Sequence, residues 1–303
     1  MKTMKSASTF RRWAVLPTCA LLIVSAMSSA GASPKASDRP FVTQSALTSA
    51  LNAASTTSAL PANLSPSLQQ VANDWDKADG CFLSYTAGPG LSPWPGATKC
   101  SRGAVKSSKT VVLLGDSQAW MWEPAFDAMG KANNVRVVML VRASCEVADM
   151  PLWDYHTAQS SANCTSFRAA ALHEIALLHP AAVVIADLKP AQPENANKQP
   201  VSKVMYLEAL AKTVATLRSV TSTIVLLGQH PILADDPTSC LSAHPGSIVG
   251  CGMKLADATT YFADATYSSV AAVTGAHYQS PVKWFCGTNF CPAVVDGGPC
   301  LYR

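Results

Sequence analysis

One stretch of the chain, 109–120, limits the possible folds more than any other. A run of β-branched and aliphatic residues ends at Gly115, and a pattern typical of a helix begins directly after it. A short uncharged run bounded in this way predicts a central strand of a parallel sheet that is buried on both faces. Gly115 permits a tight turn that a side chain would block. Ser117 is then expected at the carboxyl end of the strand, where ligands bind in open α/β sheets and where a serine can act as a nucleophile.

The chain beyond this strand alternates between helix and strand patterns. Further strands are predicted at 135–141, 181–186, 223–228 and 277–285, and helices at 118–132, 165–178, 202–221 and 255–274. This order is typical of parallel strands joined by crossover helices. The sequence therefore predicts an α/β fold, a three-layer sandwich around a five-stranded sheet. The apolar stripes of the helices are explained by core packing and require no cofactor.

The first 32 residues have the pattern of an export signal. Four basic residues precede an apolar run at 13–24, and small residues follow it up to Ala32. This pattern predicts a secretory signal peptide over 1–32, cleaved after Ala32. The apolar run is shorter than the roughly 20 residues of a spanning helix, so we expect no stable membrane span in the mature chain. Cys19 lacks the small-residue context of a lipoprotein site.

The mature chain is expected to have two parts. Residues 33–64 are rich in Ser, Ala, Thr and Pro, which predicts a flexible spacer. Ordered structure is expected from about 65, since Leu68, Val71 and Trp75 recur at helical spacing. The α/β domain is therefore assigned to 65–303.

Charge and ligand patterns exclude several functional classes. The formal net charge is only +4, and no Lys/Arg cluster or basic-aromatic interleaving points to nucleic acid. No Cys-x-x-Cys pair occurs and no histidine lies at metal spacing, so neither a metal nor another cofactor is expected.

Export explains the cysteines. Without Cys19, nine remain, and eight of them fall along the chain as near neighbours. In an oxidising compartment such cysteines form disulfides. We predict the pairs Cys81–Cys100, Cys145–Cys164, Cys240–Cys251 and Cys286–Cys291, which leaves Cys300 as a free thiol or an intermolecular link. Three of these pairs follow carboxyl ends of predicted strands, so the loops at the edge with Ser117 are expected to be cross-linked.

Several blocks of the sequence resemble one known family. They are Val-Val-Leu-Leu-Gly-Asp-Ser-Gln-Ala-Trp at 111–120, Arg-Ala-Ser-Cys at 142–145, Trp-Phe-Cys at 284–286 and Cys-Pro at 291–292, with smaller matches at 80–83 and in the 240–251 loop. From about 61 to 303 the chain is similar to the SGNH-hydrolase-like domain, in the type that is fused to acyltransferase-3 membrane proteins or secreted alone. The resemblance implies a flavodoxin-like sandwich and esterase or O-acyltransferase activity on acylated cell-envelope glycans.

The resemblance also implies roles for individual residues. Ser117 matches the nucleophile, and its own N–H contributes to the oxyanion hole. The family's second oxyanion-hole donor, a backbone N–H, corresponds to that of Ser144. The family's Gly-x-Asn-Asp, which supplies a third donor, has no match, and the nearest residue at that edge is Asp187. The residue after the nucleophile is Gln118, where the family commonly has His.

The general base has no obvious counterpart. The family places Asp-x-x-His shortly after a segment similar to 301–303, and this sequence ends at Arg303, so the domain is expected to be incomplete at its C-terminus. His230 and His244 both follow the third strand after 109–115 and are the candidate substitutes. Two functions therefore remain open. The first is a secreted or periplasmic cell-envelope serine esterase or O-acyltransferase, and the alternative is a catalytically inactive module that binds glycan or a protein partner.

Overall fold

The computed structural model describes residues 43–73, 79–155, 158–188, 193–233, 235–258 and 262–299. Its strands in chain order are β1 (Phe82–Leu83), β2 (Ser101–Gly103), β3 (Thr110–Gly115), β4 (Arg136–Arg142), β5 (Trp153–Asp154), β6 (Gln159–Ser160), β7 (Ala182–Ala186), β8 (Ile224–Leu227), β9 (Met253–Lys254), β10 (His277–Gln279), β11 (Phe290–Cys291), β12 (Val294–Val295) and β13 (Gly298–Pro299). Its α-helices are α1 (Gln44–Ala54), α2 (Leu68–Asn73), α3 (Ser117–Met121), α4 (Glu123–Asn133), α5 (Ala162–Leu178), α6 (Lys203–Arg218), α7 (Pro237–Ala243), α8 (Leu255–Ala258), α9 (Phe262–Thr274) and α10 (Val282–Phe285).

The central sheet has the predicted parallel order. Its strands run β1-β4-β3-β7-β8-β10, all parallel to their neighbours. The five strands from β4 to β10 follow the 2-1-3-4-5 order of flavodoxin-like folds, which confirms the predicted fold class. Two short strands extend the sheet at the same edge, because β1 pairs parallel and β2 antiparallel with β4.

Strand register brings three segments of the chain to one edge of the sheet. Gly115 at the end of β3 is paired with Val141 on one side and with Ala186 on the other. The carboxyl ends of β3, β4 and β7 are therefore level, and the residues that follow each strand meet there. β3 is buried along its whole length, as its uncharged sequence predicts.

Side-chain alternation along the strands creates a hydrophobic core on each face. Val112 and Leu114 point to a core completed by α5, α6 and α9, whereas Val111 and Leu113 point to one completed by α3 and α4. This period of two, with helices on both faces, produces the three-layer sandwich.

The expected spacer over 33–64 differs from the structure in its second half. Residues 44–54 form α1, whose N-cap Thr43 accepts a hydrogen bond from Ala46. Leu47 and Leu51 lie four residues apart on one helix face and are buried against Val295. The apolar stripe is too short to predict a stable helix in isolation, so packing on the domain accounts for it. The signal peptide over 1–32 and Trp75 lie outside the described residues.

Prolines changed the bounds of two predicted elements. The helix expected over 118–132 is divided at Trp122 into α3 and α4, because Pro124 has no N–H to continue the helical ladder. The strand expected over 277–285 ends at Gln279, and Pro281 caps the short helix α10 instead. The sequence predicts one helix over 255–274, whereas the structure describes two helices there, α8 and α9. Within the described residues, no helix is long and apolar enough to cross a membrane.

Candidate functional site

Ser117 lies where the sequence predicts a nucleophile. β3 ends at Gly115 and α3 begins at Ser117, at the carboxyl edge of the sheet. The serine is partly exposed, and its hydroxyl makes no hydrogen bond within the described part of the chain. The first N–H groups of a helix have no acceptor inside the helix, so a negatively charged oxygen can accept from the Ser117 N–H. The position is open to a substrate.

Gly115 is required by the close approach of the neighbouring strand. Its φ is +156°, and a Cβ placed there would lie 1.8 Å from the carbonyl oxygen of Ala186. That oxygen belongs to the backbone of β7 and cannot move aside without breaking the strand pairing. The missing side chain therefore lets the chain turn directly from a buried strand into the serine.

Asp116 fixes the turn that carries the serine. Its side chain caps α3 by accepting a hydrogen bond from the Gln118 N–H at 2.8 Å, and its second oxygen accepts from the Leu188 N–H at 2.9 Å. The carboxyl thus joins the loop after β3 to the loop after β7. Burial raises the pKa of Asp116 well above its ordinary value, and the nearby carboxylate of Asp187 raises it further.

The loop after β4 presents Ser144 at the same edge. Ser144 has a φ of +54°, a left-handed conformation that is rare for a residue with a side chain. The loop is anchored on both sides of it, because the Ala143 N–H donates to the Leu83 carbonyl at 2.8 Å and Cys145 is bonded to Cys164 at the start of α5. The direction of the Ser144 backbone is therefore fixed before any ligand binds.

Asp187 is turned into the protein and does not face the site. One carboxylate oxygen accepts from the Val147 N–H at 2.7 Å, and the other accepts from the Tyr267 hydroxyl. Burial raises the pKa of Tyr267 well above its ordinary value, so the phenol stays neutral and donates. Thr213 donates to the Val147 carbonyl at 2.6 Å from the opposite side. Asp187 thus takes no part as a third oxyanion donor and instead holds the loop that carries Ser144.

All four predicted disulfides are present. The bonded pairs are Cys81–Cys100, Cys145–Cys164, Cys240–Cys251 and Cys286–Cys291. Cys300 lies outside the described residues. The second and third pairs cross-link loops that follow the carboxyl ends of β4 and β8, as the sequence predicts.

The two candidate bases differ sharply in their surroundings. The His230 ring is buried, with Nδ1 2.7 Å from the Pro231 carbonyl oxygen and its centroid 6.0 Å from that of Phe285. Burial lowers the pKa of His230, so the ring stays neutral to lower pH than an exposed histidine. His244 ends α7 and is exposed. Neither imidazole is hydrogen-bonded to Ser117 within the described residues.

Nothing in the sequence marks three residues that hold the edge of the sheet in place. Tyr267 and Thr213 lie in helices that the sequence predicts only to pack on the core. Nothing in their local sequence indicates that Tyr267 donates to Asp187, 80 residues away, or that Thr213 donates to Val147, 66 residues away. Arg142 begins the Arg-Ala-Ser-Cys block, yet its sequence does not show that the guanidinium is buried and donates to the carbonyls of Tyr85, Ala87 and Gly88.

The solved structures that are similar to this chain include two whose functions are described. One is the periplasmic domain of a lipopolysaccharide acetyltransferase from Salmonella ser. Paratyphi A, with 16% identity, a TM-score of 0.48, and coverage of 66% of this chain and 76% of that one. The other is a carbohydrate esterase family 2 enzyme with a carbohydrate-binding domain from Corynascus thermopiles (Myceliophthora fergusii), with 14% identity, a TM-score of 0.34, and coverage of 58% and 57%. Both identities are too low to transfer a function. No curated protein matches the sequence significantly.

The sequence itself matches a protein family over most of its length. Residues 81–303 match the family described as "SGNH domain (fused to AT3 domains)". The matched region contains β3, the turn at Ser117, the Ser144 loop and all four disulfides. The chain therefore belongs to the family of SGNH domains that occur fused to AT3 domains.

Proposed function

We propose that this protein is a serine esterase or O-acyltransferase that acts on acylated cell-envelope glycans. The observation that carries the proposal is the placement of Ser117, partly exposed, directly after the buried strand β3 and level with the Ser144 loop. Membership in the SGNH family supports it, because the matched region, residues 81–303, contains Ser117.

The proposed reaction is acyl transfer through the serine. The Ser117 oxygen bonds to the ester carbonyl carbon and passes its proton to a general base, which returns it to the leaving sugar oxygen, while the carbonyl oxygen becomes negatively charged and accepts from the Ser117 and Ser144 N–H groups. Collapse of this intermediate breaks the bond to the sugar oxygen, which takes a proton and leaves. Water or a second sugar hydroxyl then accepts the acyl group and frees the serine.

His230 is the better of the two candidate bases. A neutral imidazole whose Nδ1–H donates to a carbonyl oxygen has its basic nitrogen at Nε2, as a general base requires. In His230, the contact with the Pro231 carbonyl favours a proton on Nδ1, and the lowered pKa favours the neutral ring. Since neither histidine is hydrogen-bonded to Ser117 among the described residues, we expect turnover well below that of a complete triad, whose loss of one member costs on the order of 10⁴ to 10⁶.

The decisive experiment is active-serine labelling with a fluorophosphonate. We expect the wild-type protein to be labelled and Ser117→Ala to show background only, with acetate release from an acetylated polysaccharide following the same pattern. His230→Ala should slow the labelling and His244→Ala should leave it unchanged. No labelling of wild type above Ser117→Ala would refute the esterase and favour the alternative, an inactive module that binds glycan or protein.

The proposed location is outside the cytoplasm, after cleavage of a signal peptide over 1–32. Four disulfides in one chain support this, because such bonds persist in oxidising compartments. N-terminal sequencing of the exported protein tests the cleavage after Ala32.

A further inference from the structure

A small pocket opens beside the Ser144 loop at the carboxyl edge of the sheet. It has a volume of about 120 Å³, and its lining includes Tyr85, Ser144, Asp154, Ser160 and Asn163. We refer to it as the edge pocket. Its walls come from the loop after β1, the loop after β4, the β5–β6 hairpin and the start of α5.

The edge pocket and the nucleophile belong to neighbouring strand ends. Ser144 lines the pocket, whereas Ser117 does not. β4 is paired directly with β3, with Val141 opposite Gly115, so the ends of these strands are one strand spacing apart, roughly 5 Å. A ligand held in the pocket would therefore contact the loop that carries Ser144, one of the two proposed oxyanion donors.

The lining has the chemistry of a site for a hydroxylated ring. Serine hydroxyls, the Asn163 amide and the Asp154 carboxylate offer both donors and acceptors, as the hydroxyls of a sugar require. Tyr85, 40% exposed, adds an aromatic face with a polar tip. Since Tyr85 is the only large apolar surface among the lining residues, the pocket does not suit a long acyl chain.

Charge in the edge pocket favours a neutral ligand over an anion. Burial lowers the pKa of Arg142, whereas the carboxylate of Asp154 raises it. Three hydrogen bonds from the guanidinium go to backbone carbonyls of the β1 loop, at 2.7 to 3.3 Å. The Arg142 guanidinium therefore stabilises the wall of the pocket, and the negative charge of Asp154 offsets its positive charge.

The walls of the pocket are held together before a ligand binds. The Cys145–Cys164 disulfide joins the residues that follow Ser144 and Asn163. The Gly90 N–H donates to the Ser166 hydroxyl at 2.9 Å, which ties the β1 loop to α5. A ligand consequently loses little free energy to ordering these loops.

From these observations we infer that the edge pocket is a subsite for one neutral sugar ring of the acylated glycan, with Tyr85 as its aromatic wall. The inference rests on the proposed function for the position of the ester, while binding of the sugar itself does not require the serine chemistry. Tyr85, Asp154 and Asn163 would contact the sugar directly.

Binding is tested in Ser117→Ala protein by saturation-transfer-difference NMR. The probes are the methyl glycosides of glucose, galactose, mannose and N-acetylglucosamine. We expect magnetisation to be transferred from the protein to the ring protons of at least one glycoside. The double variant Ser117→Ala/Tyr85→Ala should show a signal at least fivefold weaker. Tyr155→Ala is the matched control, because Tyr155 is an exposed tyrosine that does not line the pocket. Absence of transfer from all four, or equal transfer in the Tyr85 and Tyr155 variants, overturns the subsite.

Turnover separates failure of the subsite from failure of the proposed function. p-Nitrophenyl acetate has no sugar, so Tyr85→Ala should lower the kcat/KM for the mono-acetylated best-binding glycoside at least fivefold more than the kcat/KM for p-nitrophenyl acetate. An equal loss on both substrates overturns the subsite. If wild type cleaves neither ester but the NMR signal depends on Tyr85, the esterase is refuted and the sugar site stands.

Discussion

Two disulfides in this protein close loops of equal length but hold different parts of the fold. Cys81–Cys100 and Cys145–Cys164 each span a separation of 19 residues, with Cα atoms 5.3 Å apart, and all four cysteines are buried. The chain-entropy model assigns each about 3 kcal/mol. Replacing either pair by alanine should therefore lower the free energy of unfolding by a similar amount, and the midpoint of thermal unfolding by about 6–12 °C.

The two variants should differ in activity. Cys145 adjoins Ser144, whereas Cys81 and Cys100 precede β1 and β2, whose hydrogen-bonded pairing with β4 we expect to persist without the disulfide. Loss of an oxyanion donor costs about 10² to 10³ in kcat, and a loosened donor costs less. We expect a loss of about tenfold or more in C145A/C164A and of less than twofold in C81A/C100A.

The assay combines urea unfolding with turnover of p-nitrophenyl acetate, both well below the lower thermal midpoint. The four-alanine variant shows whether the two stability effects add, as expected for bonds that share no partner. Equal losses of activity in the two double variants would refute the claim that the Cys145–Cys164 bond acts through Ser144. Stability losses differing by more than about 2 kcal/mol would refute the entropic account.

Three further predictions concern stability and pH. Gly115→Ala should cost more than about 3 kcal/mol of unfolding free energy through overpacking, whereas Gly246→Ala, with open space around its Cβ, should leave the thermal midpoint unchanged. The pKa of Asp116 is raised in the folded protein, so its protonated carboxyl stabilises the fold at pH values below the ordinary pKa of 3.8, and this stabilisation is lost as the pH rises through the folded pKa. Asp116→Asn should therefore reduce the decrease in thermal midpoint with rising pH. Leu51→Ala should cost about 2–4 kcal/mol in urea unfolding if α1 belongs to the domain, with exposed Ser49→Ala as the control. A pH profile identical to wild type, or an undisturbed Leu51→Ala protein, would contradict these accounts.

The sequence alone determined the central strand, the sheet and the disulfides. The uncharged run before Gly115 predicts a strand buried on two faces, and the alternation that follows it predicts crossover helices, as the structure shows. Cysteines that are near neighbours in sequence can meet by closing a short loop, so their spacing favoured the four pairs that the structure confirms. These are local properties, which periodicity and spacing report directly.

Tertiary structure alone decided how the edge of the sheet is built. The Asp187–Tyr267 contact, the buried Arg142 under the β1 loop and the edge pocket each join segments far apart in sequence. Docking of α1 likewise depends on a surface formed by the last strands and α10, whose residues lie more than 230 positions away. Such contacts depend on strand register and helix packing, and a period of hydrophobic residues carries no information about which distant side chain completes a hydrogen bond.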